Sequence, residues 1–115
     1  MVKDHPVLQL FEELLVAAPS GREAALAAIV RQKLTAWGIA HTQDGMGNVL
    51  VRLDGRSPQA PLIMYAAHMD EIGLVVTKLN SDGSLQVSNS GGLLPWKLGD
   101  GLGIAVDADG GVYST

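Results

Sequence analysis

Ala60-Pro61-Leu62-Ile63-Met64-Tyr65-Ala66-Ala67-His68-Met69-Asp70-Glu71-Ile72-Gly73-Leu74 is the stretch on which the fold turns. Its first half is an unbroken apolar run with no 3.6-residue period, bounded by Pro58 and Pro61 upstream and Gly73 downstream. Short apolar runs punctuated in this way read as buried strands rather than helices. On that reading the strand leaves the core at His68. Side chains at i and i+2 of a strand share a face, which sets His68 beside Asp70. A neutral imidazole is a common metal ligand, and a neighbouring carboxylate fixes its tautomer and raises its basicity. The pair is then half of a metal site, because a catalytic zinc takes about three protein ligands plus water. The competing reading is a polar strand end hydrogen-bonded at the surface. Glu71, adjacent to Asp70, points to the opposite face and is a poor water-activating base.

Upstream of this stretch the text is helical. Asp4 is a candidate cap for a first helix, with Pro6 in its first turn, where a missing N–H costs little. Leu8, Phe11, Leu14 and Leu15 recur at helical spacing as its buried stripe, and Pro19 ends it. Ser20-x-x-Glu23 reads as a capping box opening a second helix. Leu26, Ala27, Val30 and Leu34 supply that helix's apolar face, and Gly38 stops it. These stripes are core rather than cofactor contacts.

Strand signals then take over. Gly45-Met46-Gly47-Asn48 is a turn before a strand over residues 49–53, and Asp54-Gly55 is a hairpin-type turn. Leu74 to Leu79 pairs with Ser84 to Ser88 through Asn80-Ser81-Asp82-Gly83. Short strands are expected near Leu102 to Val106 and at Val112-Tyr113, joined through Asp107-Ala108-Asp109-Gly110-Gly111. Composition shifts near residue 70, and after Ser90 the text turns glycine-rich.

Composition narrows the function classes. A chain of 115 residues is long enough for one domain with a core, and 47% hydrophobic residues disfavour disorder. Eight Lys and Arg against twelve Asp and Glu leave a formal charge of −4, with the basic residues scattered. Clustered cations and stacking aromatics are what nucleic acid needs, so no nucleic-acid partner is expected. The absence of cysteine excludes a disulfide framework and a zinc ribbon, and fits the cytosol. Residues 1–13 hold no apolar signal core, and no run approaches the ~18 to 20 apolar residues of a membrane span. A soluble, cytoplasmic protein without membrane contact is the expectation.

Other motifs fail when weighed. Gly99-Asp100-Gly101-Leu102-Gly103 lacks both the dinucleotide-binding spacing and the ending of a phosphate loop. Asp107-x-Asp109-Gly110 lacks the third oxygen ligand and distal Glu of a calcium loop, and a hairpin turn explains it. Ser20 has no nucleophile elbow around it. Asp44 and Asn48 shape a turn through side-chain-to-backbone bonds and carry no chemistry.

Ala67-His68-Met69-Asp70-Glu71-Ile72-Gly73 resembles the signature of the co-catalytic metallo-aminopeptidases of the glutamyl-aminopeptidase type. That family includes the tetrahedral (TET) particles, and some members have been labelled endoglucanases. Two further stretches resemble the family in the same order. Ala18-Pro19-Ser20-Gly21-Arg22-Glu23 is similar to its Pro-Ser-Gly-x-Glu turn, and Asp44-Gly45-Met46-Gly47-Asn48-Val49 to its Asp-x-x-Gly-Asn-Val segment. With Gly91-Gly92 and Pro95 the likeness runs through most of the chain and fades after about Lys97.

The resemblance implies an α/β fold: two N-terminal helices and strands of a zinc-peptidase-like catalytic domain, then the start of an inserted β domain. Residues 1–70 would belong to the first and residues 71–115 to the second, which serves assembly and shapes access to the site. It implies hydrolysis of N-terminal residues from peptides at two divalent metal ions, zinc or cobalt. His68 would bind one ion, and Asp70 would orient that histidine and support catalysis. The remaining ligands and the general-base Glu of such enzymes lie in a C-terminal portion with no counterpart here, so the isolated chain is expected to be an incomplete, inactive enzyme. Apolar strand faces left without cover imply a homo-oligomer or another partner. Two other readings stand beside this one: a truncated, non-catalytic binding or assembly module of the same fold, and a glycan hydrolase by family label alone.

Overall fold

The computed structural model describes residues 5–57, 59–94, 96, 99, 103–107, 109 and 111–114. Its elements run α1 (Pro6–Leu14), α2 (Ala24–Ala36), β1 (His41–Gln43), β2 (Val49–Val51), β3 (Gly73–Leu79), β4 (Leu85–Ser90), β5 (Ile104–Val106) and β6 (Val112–Ser114). The strands form three separate antiparallel pairs, β1–β2, β3–β4 and β5–β6. The described residues thus form a small α/β structure of two helices and short hairpins. It divides into two units: residues 1–16 with 23–69, and residues 17–22 with 70–115.

The first unit holds both helices and the β1–β2 hairpin. Helix α1 is capped by His5, whose Nδ1 accepts from the Val7 amide at 3.3 Å. Asp4, the cap expected from sequence, lies outside the described residues. The stripe of α1 is not buried as expected: Leu8, Phe11 and Leu15 are exposed, since among the described residues α1 has α2 as its one helical neighbour, reached by a Lys33–Glu13 ion pair. Helix α2 begins at Ala24, three residues later than a cap at Ser20 would place it, with Glu23 in the N-cap position. Its apolar face does turn inward, with Ala27 buried and Leu26, Val30 and Leu34 half-buried. Its end is a Schellman motif. The Ile39 amide donates to the Leu34 carbonyl at 2.8 Å and the Gly38 amide to Thr35 at 2.9 Å, with Gly38 at φ +69 where a side chain would be strained.

Strand β1 was not foreseen; three residues, His-Thr-Gln, carry no periodic signal. It pairs with β2 in the register His41↔Val51 to Gln43↔Val49. The turn between them is built by Asp44, as expected. Its Oδ1 accepts from the amides of Met46 and Asn48, each at 2.9 Å, and its Oδ2 from Asn48 Nδ2 at 2.8 Å. Those donors, Asn48's side chain first, hold the Asp44 carboxyl below its ordinary range. Strand β2 stops at Val51, short of residue 53, and Asp54-Gly55 forms no hairpin turn because no described strand follows to pair.

The buried strand expected over residues 60–68 is a correction of more weight. Residues 61–70 form no strand, and Leu62 and Tyr65 are 90% and 94% exposed. A strand is defined by its ladder and its burial by the layers on its faces. No described strand lies alongside this run, so the apolar text has nothing to pair with.

The second unit is β-rich. Strands β3 and β4 pair from Gly73↔Ser90 to Leu79↔Leu85, with an irregularity between Val76 and Lys78. That bulge leaves Thr77 outside the pairing, its hydroxyl donating to the Gln86 carbonyl at 3.1 Å. It also keeps the faces in phase. Leu74, Val76 and Leu79 stay on one face with Leu85 and Val87, while Lys78, Gln86, Ser88 and Ser90 share the other. The connecting turn follows the sequence reading, with Asn80 donating to the Ser84 carbonyl at 2.9 Å and Gly83 at φ +83. Asp82 Oδ1 accepts from the hydroxyl and amide of Ser84 at 2.7 and 3.0 Å, which lowers its carboxyl's affinity for a proton, the hydroxyl most of all. Strands β5 and β6 form the last expected hairpin, with Asp107 Oδ1 accepting from Asp109 and Gly111 amides at 2.9 and 2.7 Å. Leu102, Ala108 and Gly110 from that expectation lie outside the described residues.

Candidate functional site

The residues around Asp70 are held by a joint between two segments far apart in sequence. Pro19 and Glu71 form an isolated parallel bridge. The Glu71 amide donates to the Ala18 carbonyl at 2.9 Å, and the Ala18 amide returns a bond of 2.9 Å to Glu71 Oε1. Ala18 is 2% exposed, so its amide is shielded from water and needs that carboxylate. Gly73 follows because the space is full: a Cβ there would lie 3.2 Å from Pro19 Cβ. One residue further on, the Ser20 hydroxyl donates to Asp70 Oδ2 at 2.6 Å. Pro19 and Ser20, singled out in sequence as part of a turn into α2, thus dock onto Asp70 to Gly73.

His68 is exposed, in a segment without regular structure, at the end of the first unit. Because residues 61–70 are not a strand, the alternation argument that would set His68 and Asp70 on one face does not apply here. Asp70 is half-buried and begins the main stretch of the second unit. Glu71, expected to be a poor base, spends one carboxylate oxygen on the Ala18 amide. His41 uses Nδ1 as a donor to the Ile39 carbonyl at 3.0 Å, a contact local to its own turn.

Imidazole and carboxylate suit a borderline divalent ion in kind. In number the described residues do not: no three His, Cys, Asp or Glu side chains among them gather to hold an ion. His68 can therefore offer a ligand, and Asp70 support, but together they do not make a metal centre. No helix among the described residues is long and apolar enough to cross a membrane.

The Ser20–Asp70 and Ala18–Glu71 contacts escaped sequence reasoning. Ser20 reads locally as a cap, and no spacing signal links positions 50 and 53 residues apart.

Comparison with known proteins adds an independent line. A family model described as M42 glutamyl aminopeptidase matches residues 47–111. The match reaches well past Lys97, where the likeness read from motifs faded. The chain is 32% identical over 92 residues to a glutamyl aminopeptidase of Lactococcus lactis subsp. cremoris, covering 76% of this chain and 26% of that protein. It is 48% identical over 55 residues to a lysyl aminopeptidase of Pyrococcus furiosus, covering 48% of this chain and 15% of that protein. The chain thus spans about a quarter or less of the length of these relatives.

Proposed function

The chain belongs to the M42 glutamyl aminopeptidase family, and from that premise we propose that it is the N-terminal part of a metal-dependent aminopeptidase releasing N-terminal residues from peptides. The observation that carries the reading is the family match across residues 47–111, which contains His68-Met69-Asp70-Glu71. In the complete subunit His68 binds one of two divalent ions, zinc or cobalt, and Asp70 supports that histidine and the chemistry. Residues 1–70 are the start of the catalytic α/β domain, and residues 71–115 open an inserted β domain that serves self-assembly. The enzyme works in the cytoplasm as a homo-oligomer. The ligands that complete the centre come from outside this stretch, and residues 1–115 alone are inactive.

A second reading is favoured by one observation: the described residues gather no ligand set. The chain would then be a non-catalytic binding or assembly module of the same fold. The intact mass of the polypeptide in its own cells separates the two, a much longer chain supporting the enzyme.

The test of the enzyme is made on the complete subunit with aminoacyl p-nitroanilides. His68→Ala abolishes chelator-sensitive hydrolysis, while Asp70→Asn lowers kcat with less loss of bound metal. Hydrolysis that survives His68→Ala unchanged would sink the assignment.

A further inference from the structure

We propose that Ser20 is a positioning residue for Asp70, an inference that rests on the role given to Asp70 above. The Ser20 Oγ to Asp70 Oδ2 distance of 2.6 Å lies within the range for a hydroxyl donating to a carboxylate. A carboxylate on a freely turning χ angle presents either oxygen in many directions. A donor held on Oδ2 narrows that rotation and with it the directions open to the carboxylate.

What makes the donor fixed is the joint beneath it. Ala18 and Glu71 exchange two hydrogen bonds, Pro19 bridges to Glu71, and the Pro19 ring fills the space over Gly73. Ser20 is therefore carried on a segment whose backbone is already tied to the residue next to Asp70. The position of α2 agrees. That helix starts at Ala24 with Glu23 in the N-cap position, so Ser20 is not the residue at its N-cap. Threonine could keep the bond; alanine could not.

The experiment uses the complete, metal-loaded subunit and a panel of aminoacyl p-nitroanilides. Ser20→Ala is expected to lower kcat about tenfold, the lower end of the cost of removing an outer hydrogen bond around a metal-bound histidine. KM should hold, and Ser20→Thr should restore kcat. Glu71→Ala serves as the comparison: it removes one of the two Ala18–Glu71 bonds but keeps the backbone bond and the Ser20–Asp70 bond, so it should lower Tm and cost less kcat than Ser20→Ala. Should Ser20→Ala not fold, Ser20→Cys substitutes a weaker donor and is read in the same way. An unchanged kcat in Ser20→Ala beside a damaged Asp70→Asn overturns the inference and leaves the role of Asp70 standing. Equal kcat losses in Ser20→Ala and Glu71→Ala, with no rescue by threonine, reduce Ser20 to a structural contact and also overturn it. If Asp70→Asn is itself unimpaired, the functional reading falls and takes the inference with it.

Discussion

Glu71→Ala isolates one hydrogen bond whose loss can be followed at a single amide. The variant removes the Oε1 acceptor 2.9 Å from the Ala18 N–H and keeps the backbone bond from the Glu71 amide to Ala18. Hydrogen bonds to a charged acceptor contribute about 1.5–3 kcal/mol, and a donor left unpaired out of reach of water costs about 1–3 kcal/mol. Glu71 is exposed, so water enters part of the space it vacates; Ala18 is 2% exposed, so water reaches the amide itself poorly. The low end of the two ranges, about 1–1.5 kcal/mol, is the expected loss. Native-state hydrogen exchange at Ala18 should then accelerate roughly tenfold, since about 1.4 kcal/mol is a factor of ten. Amides of the β1–β2 turn, in the other unit, should not change. Glu71→Gln keeps an oxygen acceptor and should recover most of the protection. An Ala18 amide that exchanges at the same rate in Glu71→Ala would mean that the carboxylate is not its partner in solution. The account of the joint would then fail.

The glycines give a paired test by thermal unfolding. Gly73→Ala should destabilise by about 1 kcal/mol, because the Cβ it adds meets a proline ring atom that cannot rotate away. Gly45→Ala meets nothing within 4 Å and should be neutral or gain about 0.4–1 kcal/mol through the unfolded chain; a reversed order would refute the packing of Pro19 on Gly73. Acid should loosen the turns. The carboxyls of Asp44 and Asp82 are held below the unfolded value of 3.8, so what they contribute is fully present above that pH and is lost as pH falls beneath it. Melting followed as a function of pH should show that loss, and Asp44→Asn should diminish it.

What could be read from the text depended on how far apart the cooperating residues lie. The hairpins β3–β4 and β5–β6 were legible because a hairpin needs only alternating apolar residues and a turn, all within a short span. Asn80-Ser81-Asp82-Gly83 and Asp107 to Gly111 carry that chemistry openly, and the structure uses it through Asp82 and Asp107. The Asp44 turn was legible for the same reason. Helix α2 was legible in its face and its glycine stop but not in its start, because Ser20 answers a partner fifty residues away rather than the helix beside it. The bulge at Thr77 also had no signal, yet it keeps Leu79 on the face of Val76.

The failure at residues 60–68 has a different cause. Apolar content reports a demand for burial; whether the demand is met depends on strands that must come from elsewhere. Pro61 to Ala67 has the composition of a central parallel strand and here has no ladder. The apolar face of β3–β4 is in the same position, with Leu79 68% exposed. A two-stranded ribbon is at best marginal by itself in water. Two apolar surfaces, one in each unit, therefore ask for cover that the described residues do not supply. The candidate site asks for the same thing in another form, since His68 offers one ligand where an ion needs several. On the enzyme reading proposed above, the rest of the subunit would supply the strand partners and the ligands alike. A single reconstitution can meet both. Supplying that remainder in trans should protect the amides of residues 62–66 from exchange and create metal binding at His68 together. Protection without metal binding would separate the fold from the site and favour the assembly module over the enzyme.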